Sequence, residues 1–323
     1  MSAPILVTGG AGFMGSWLVR SLIDKGESVR VFDLPSARWN QLPAQIEIVA
    51  GSICDRATVA GAVRGCRGVV HLAGLPQLWM KRRGHYRRVH EQGTANVLEE
   101  AIRASCSRIV HVSSATIWPL PRQAVCRWRD AYGPYSRSKL SAERHALRLV
   151  RQGAPIVVVS PTLPVGPGDF GRTPPTQLLL NFCRGKVRDY IDTQLNIIDV
   201  RDVAEGMCRA AEVGTPGERY LLGNTTLPLI ELFRRLAEVA QQPVPRRRVP
   251  YAVALMAGVV MDWWADVVSG QTPAASIAGV QLTRRPLPSD AGTDLQRLGI
   301  TPRPLEQTLA DTVAWFCDLK WIT

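Results

Sequence analysis

The order in which short apolar runs alternate with longer amphipathic stretches constrains this chain most. Strand-like runs fall at 5–8, 28–32, 46–49, 68–72, 108–113 and 155–160, with helical patterns between them at 15–25, 57–63, 91–104 and 136–151. Strands separated by helices at this spacing close right-handed crossovers, which predicts a parallel sheet covered on both faces. The runs Val69-Val70-His71-Leu72 and Ile156-Val157-Val158-Val159 lack polar alternation, as expected of strands buried on both sides. Beyond residue 161 the texture changes. Pro161, Pro164, Pro167, Pro174 and Pro175, interspersed with Gly166, Gly168 and Gly171, predict a loop rather than a helix or buried strand. A helix at 200–213 and a strand at 219–222 return to the sheet, and the chain from Leu227 reads as helices with proline-punctuated joints. The expected class is α/β, a Rossmann-type doubly wound parallel sheet with a smaller, interleaved C-terminal substrate lobe. Residues 1–165 are expected to form the dinucleotide-binding domain, with 197–224 returning to it, and 166–196 and 225–323 the lobe.

Composition narrows the partners. The chain has 323 residues, 46% of them apolar, enough for a full core and too apolar for a disordered chain. Net charge is +12, and only five of the 39 basic residues are lysine. The basic knots (81–83, 87–88, 246–248, 284–285) are scattered and lack an aromatic stacking platform or a reading helix, so nucleic acid is not the expected partner. The N-terminus enters a strand directly, without the pattern of a secretory signal, and the weakly charged stretch 251–261 is too short to span a bilayer. Seven scattered cysteines without a C-x-x-C pair read as reduced, cytoplasmic thiols, and no metal-ligand spacing is present.

Gly9, Gly12 and Gly15 follow the first strand and open the first helix. Such glycines permit a tight turn, close approach of a pyrophosphate and tight helix–sheet packing, while the helix N-terminus offers free N–H groups to phosphate. Asp33 ends the second strand about 20 residues on, where a carboxylate bonds ribose hydroxyls and repels a 2′-phosphate. The expected cofactor is therefore NAD. Arg38, a few residues further, softens that preference and keeps NADP as the alternative.

Tyr135 and Lys139 stand four apart at the start of a helical stretch, so phenol and ammonium share one face. A free phenol titrates near 10, and a neighbouring cation favours its ionised form. Ser114 lies at the carboxyl end of a strand, where ligands of open α/β sheets bind, and its hydroxyl is placed to hold a substrate oxygen.

These residues, with His71-Leu72-Ala73-Gly74, Gly93-Thr94-x-Asn96, Ser113-Ser114-Ala115-Thr116 and the run Pro161–Asp169, resemble the extended short-chain dehydrogenase/reductase superfamily over essentially the whole chain. The resemblance implies Tyr135 as acid/base, Lys139 as its pKa-lowering partner and ribose anchor, and Ser114 as donor to the substrate oxygen. It also implies cofactor contact at Gly9, Gly12, Phe13, Met14, Gly15, Asp33, Arg38, Ser52, Ile53, Leu72, Ala73, Gly74, Tyr135, Lys139, Pro161 and Thr162. Two positions depart from the pattern: Ser52 stands where the family has Asp, and His90 where it has Asn.

Within the superfamily the chain is similar both to the dihydroflavonol-reductase-like and hopanoid-associated sugar epimerase group and to 3β-hydroxysteroid and sterol-4-carboxylate dehydrogenases. That implies oxidoreduction of a secondary alcohol on a hydrophobic, polycyclic substrate. The alternative is a nucleotide-sugar epimerase or dehydratase holding NAD tightly, with Arg246 or Arg284 on the diphosphate. The apolar stretch 251–264 after Arg246-Arg247-Arg248 reads first as a pocket-covering helix and second as a helix docked on anionic lipid at the inner membrane face. Trp79, Trp118, Trp128 and Tyr190 fall in loops placed to line the cleft, though core or rim packing is the first reading for each taken singly. The family habit of pairing the helices near 91–104 and 136–151 implies a homodimer.

Overall fold

The computed structural model describes residues 3–118, 126–285 and 292–322. Seven parallel strands form the main sheet: β1 (Ile5–Thr8), β2 (Val29–Asp33), β3 (Glu47–Ala50), β4 (Gly68–His71), β5 (Arg108–Val112), β6 (Ile156–Pro161) and, after shorter strands, β10 (Arg219–Leu222). Their spatial order is β10-β6-β5-β4-β1-β2-β3, so the winding reverses between β1 and β4. In an open sheet of this kind that reversal leaves a crevice at the carboxyl ends of the strands.

Alternation along each strand decides which helix packs where. Val7, Val31, Val110 and Val157 face α1 (Phe13–Asp24) and α7 (Val200–Val213), where Leu18, Val19, Val203 and Met207 meet them. Leu6, Val69, Ile109 and Ile156 point the other way, toward α2 (Arg56–Val63), α4 (Thr94–Arg103) and α5 (Gly133–Arg151). Each fully buried aliphatic side chain stabilises the fold by roughly 1.5–3 kcal/mol. Between β4 and α4 the chain makes α3 (Gly84–Tyr86) and a π-helical stretch, Arg87–Gly93, so the helix expected from 91 starts seven residues earlier.

The proline- and glycine-rich region is not all loop. Leu163–Val165 forms β7, which pairs with β9 (Gln194–Asp199), itself paired with β11 (Thr225–Pro228). Pro174 opens α6 (Pro174–Cys183), where a proline in the first turn forfeits no hydrogen bond. β8 (Asp189–Ile191) and β12 (Arg247–Val249) make a third small sheet. Around them α6, α8 (Leu229–Ala240) and α12 (Leu305–Asp318) build a separate core, with Phe182 stacked on Phe233 at 5.0 Å. All seven cysteines are unpaired.

The apolar segment departs from expectation twice. Helix α9 (Tyr251–Trp264) continues into a π-helical turn, Ala265–Ser269, making one stretch of 19 residues that is long and apolar enough by composition to cross a bilayer. It does cover a neighbour, α10 (Ile277–Leu282), but with Ala254, Gly258 and Asp262, while Met256 is 69% exposed and Val260 63%.

Asp199 joins the two regions. Its buried carboxylate caps α7 through the Arg201 N–H at 2.8 Å, holds the Arg201 guanidinium at 2.6 Å, and accepts a 2.8 Å hydrogen bond from the Thr308 hydroxyl of α12. Asp199→Ala is expected to lose about 2–3 kcal/mol in urea unfolding, with Asp199→Asn, which keeps a capping oxygen, losing distinctly less. Equal losses would contradict the capping role.

Candidate active site

At the end of β1 the chain turns through Gly9 with φ +73°, and a Cβ there would sit 2.7 Å from the Ala73 nitrogen, so only glycine fits. A Cβ on Gly15 would strike the Gly9 carbonyl, which is the close helix–strand approach the spacing implies. Gly12 caps α1 without any side-chain acceptor, and it lines the crevice together with Phe13, Met14 and Gly15. An anion seated there meets the positive end of a twelve-residue helix.

Asp33 closes the turn as well as facing the crevice. Its carboxylate accepts the Ala11 N–H at 3.0 Å and the Leu34 N–H at 2.8 Å. Partial burial pushes its pKa up, and those two bonds pull it back. Arg38 is exposed and lies over the Phe170 ring at 5.5 Å. Asn96 donates to the Ile53 carbonyl at 2.9 Å, fixing that loop from α4. The Ser52 hydroxyl accepts from the Cys54 N–H at 3.2 Å, folding back onto its own turn where the family pattern has a carboxylate.

Gly9, Gly12, Phe13, Met14, Gly15, Asp33, Arg38, Ser52 and Ile53, together with Leu72, Ala73, Gly74, Ser114, Tyr135, Lys139, Pro161 and Thr162, line one cleft of about 640 Å³. Leu75–Leu78, Phe170 and Leu282 also line it, and no local pattern marked them because their position depends on how the lobe folds back. The four aromatics near the expected cleft take core or rim positions. Trp79 and Trp118 are buried in packing, Trp128 is 48% exposed, and Tyr190 packs in the lobe core; none of the four faces the cleft. Nor do the arginines suggested for a diphosphate: Arg284 stacks on Tyr251 at 3.6 Å, and Arg246 is an exposed residue away from the lining.

Helix α5 presents a stripe of titratable groups, with Tyr135, Lys139 and Glu143 at intervals of four on one face. Burial lowers the Lys139 pKa to about 8, and Glu143 opposes that shift. The ammonium donates to the Val112 carbonyl at 3.1 Å. Glu143 is itself buried, accepts from the Ser113 hydroxyl and meets Arg219 at 3.4 Å; burial pushes its pKa up. The same four-residue spacing that marked Lys139 also marked Glu143, but an acid on a helix ordinarily reads as surface.

Burial raises the Tyr135 pKa, and its hydrogen bond with Ser114 draws it down. Ser114 is further held by Thr116, whose N–H donates to it at 3.2 Å. The Tyr135 ring is fixed edge-on by His90 at 5.6 Å and Tyr86 at 6.4 Å.

His90 replaces the missing asparagine in a definite way. Its Nε2 accepts the Leu75 N–H at 2.9 Å, and a backbone N–H only donates, so that nitrogen is unprotonated. The proton therefore sits on Nδ1, which donates to the Ser138 hydroxyl at 2.8 Å; Ser138 in turn donates to the Tyr135 carbonyl. The π-helical stretch around His90 gives the ring this reach, a common use of such bulges. Burial and the Lys139 charge lower its pKa to about 2 and that of His71 to about 3.

Unfolding returns the His90 ring to its ordinary value near 6.5, so the unfolded chain takes up the proton first as pH falls. Stability should therefore drop below pH 6.5 by about 1.4 kcal/mol per pH unit for this ring. His90→Asn should shed that part of the slope between about pH 6 and 4, measured by urea unfolding. An unchanged slope would mean that His90 is not held neutral.

Comparison with known proteins agrees with this geometry. The model of the "NAD dependent epimerase/dehydratase family" matches residues 5–223. A putative dihydroflavonol 4-reductase from Synechocystis sp. is 34% identical over 98% of this chain and 95% of its own length. Sterol demethylase protein B from Methylococcus capsulatus is 27% identical over 96% and 97%. The fold matches that of UDP-glucose 4-epimerase from Thermotoga maritima with a TM-score of 0.75 at 21% identity, covering 98% of this chain and 99% of that one. The seven-stranded parallel sheet with its glycine turn is thus that of an NAD-dependent enzyme, and the chain belongs to the NAD-dependent epimerase/dehydratase family of extended short-chain dehydrogenases/reductases.

Proposed function

We propose that the protein interconverts a secondary alcohol and a ketone on a hydrophobic, polycyclic substrate of the sterol or hopanoid kind, the 3-hydroxyl of a sterol or sterol-4-carboxylate being the leading case. One observation carries this reading. Beside Ser114, Tyr135 and Lys139 the cleft is walled by Leu75, Pro76, Leu78, Leu163 and Leu282, and Arg38 and Lys139 are its only cations among the described residues. A nucleotide sugar needs cations for its diphosphate beyond those that serve the cofactor. The likeness to sterol demethylase protein B points the same way.

On this reading the turn at 9–15 holds the pyrophosphate, Asp33 the adenosine ribose, and Lys139 the nicotinamide ribose. Bound NAD supplies a hydride acceptor and, near the phenol, a positive ring. Ser114 hydrogen-bonds the substrate oxygen. Tyr135 removes the hydroxyl proton as the carbinol carbon loses its hydride, and returns a proton in the reverse direction. Because burial raises the phenol, the Ser114 hydrogen bond, the ammonium of Lys139 one turn along the helix and the cofactor's charge together bring it into range. The same proposal assigns 1–165 and 197–224 to the cofactor and 166–196 and 225–323 to the substrate. It also includes a homodimer, and the unpaired cysteines support a cytoplasmic setting.

Tyr135→Phe should lower kcat for NADH formation from a sterol-alcohol panel at least about a hundredfold. Turnover near the parent level would remove the phenol from the mechanism, and turnover of UDP-sugars instead of sterols would establish the epimerase alternative. Asp33→Ser should raise the KM for NAD about tenfold, the scale of one charged hydrogen bond, while leaving that for NADP unchanged or lower. A parallel loss for both cofactors would mean that Asp33 acts only by fixing the turn through Ala11.

A further inference from the structure

Helix α9 and the turn that follows it are built inside out. Small or polar side chains, Ala254, Gly258, Asp262 and Ala265, face the protein; Gly258 lies against the backbone of Ile277, and the Asp262 carboxylate accepts the Ile277 N–H at 3.1 Å. The opposite stripe carries Val253, Met256, Val260, Trp263, Trp264 and Val267, each 54–69% exposed. A helix that merely roofed the cleft would turn its large apolar residues inward. Here Val253, Met256, Val260, Trp263 and Val267, spaced three, four, three and four apart with Trp264 beside them, lie on the solvent side.

The rim is basic. Arg246, Arg247 and Arg248, all exposed, precede the helix. Arg248 pairs with Asp192 at 2.7 Å and Arg247 lies 4.0 Å from Asp189, so the rim's excess positive charge at this end comes from Arg246. At the other end Lys81 approaches Gly270, and Arg83 pairs with Asp266 at 2.6 Å, which brings the exposed run Lys81–Arg83 beside the turn. The two acids of the stretch are thereby occupied, Asp262 inward and Asp266 by Arg83. Two-fold pairing of two copies over this stripe would bring basic rims together whichever way the helices ran. A bilayer surface with anionic headgroups matches both the apolar stripe and its rim. The helix is tied to the start of α10 through Gly258 and Asp262, so its fit is to lie in the interface rather than to cross.

We propose that the outer stripe of residues 253–268 docks the protein on a membrane surface containing anionic phospholipid. This proposal is independent of the catalytic assignment, because binding to lipid is read without turnover. In flotation with phosphatidylcholine vesicles containing one-third phosphatidylglycerol, the full chain should rise with the vesicles, and less so with phosphatidylcholine alone or at high salt. The double variant Val260→Glu, Trp263→Glu changes only exposed positions and should bind at least about tenfold less, with an unaltered circular dichroism spectrum. With brominated lipid, tryptophan emission of the parent should be quenched. Failure of the parent to float, or equal flotation of the double variant, would overturn the proposal. So would a lipid-free dimer that the double variant converts to monomer, since the stripe would then be a contact between copies.

Discussion

A single cation buried under the carboxyl ends of β4 and β5 organises the centre of this protein. Lys139 sits on α5 with its ammonium held to the Val112 carbonyl, and burial brings its pKa down to about 8. An isolated buried ammonium is costly, so the surroundings must supply acceptors and must not add positive charge. Glu143, one turn further along the helix, is the counter-charge, and it is steadied by Ser113 and Arg219. The three histidines near this cation complete the arrangement by remaining neutral. His71 bonds Thr8 and Thr94, His90 bonds Leu75 and Ser138, and His111 stacks on His71 at 5.7 Å.

Neutrality is what lets those rings act as spacers and acceptors around a charged site. A protonated His90 has no acceptor to offer the Leu75 N–H, so the loop 75–78 that walls the cleft is tied to the ring's tautomer. The same ring packs edge-on against Tyr135. Asparagine at this position would offer an acceptor and a donor in fixed directions; the imidazole does the same with a longer reach, and the π-helical stretch accommodates the difference.

Much of this was legible in the order of residues. The crossover pattern, the glycine turn, Asp33, and the pair Tyr135 and Lys139 each rest on local spacing, and spacing within one strand or helix survives folding. The cleft walls were not legible. Leu282 and Phe170 reach the site through the return of the lobe, whereas Trp79, Trp118, Trp128 and Tyr190 take the core and rim positions that are the first reading of isolated aromatics. The proline-rich region misled for a related reason. Prolines read as breakers, yet Pro164 sits within the three-residue strand β7 and Pro174 starts α6, two positions where the missing N–H costs little.

Helix α9 marks the limit of composition as a guide. Its residues are apolar enough for a core helix or a membrane helix, and only the direction of its faces separates the two. With small residues and Asp262 turned toward α10, the packing energy of the large side chains is left unclaimed by the fold. At roughly 25 cal/mol per Å², an exposed row of valine, methionine and tryptophan is a liability in water unless something covers it. The segment also adjoins the cleft, because α10 both receives α9 and carries Leu282 into the lining. An apolar outer surface and an apolar inner wall therefore meet on one pair of helices, so a change in how α9 is covered is felt at the wall that Leu282 contributes to the cleft.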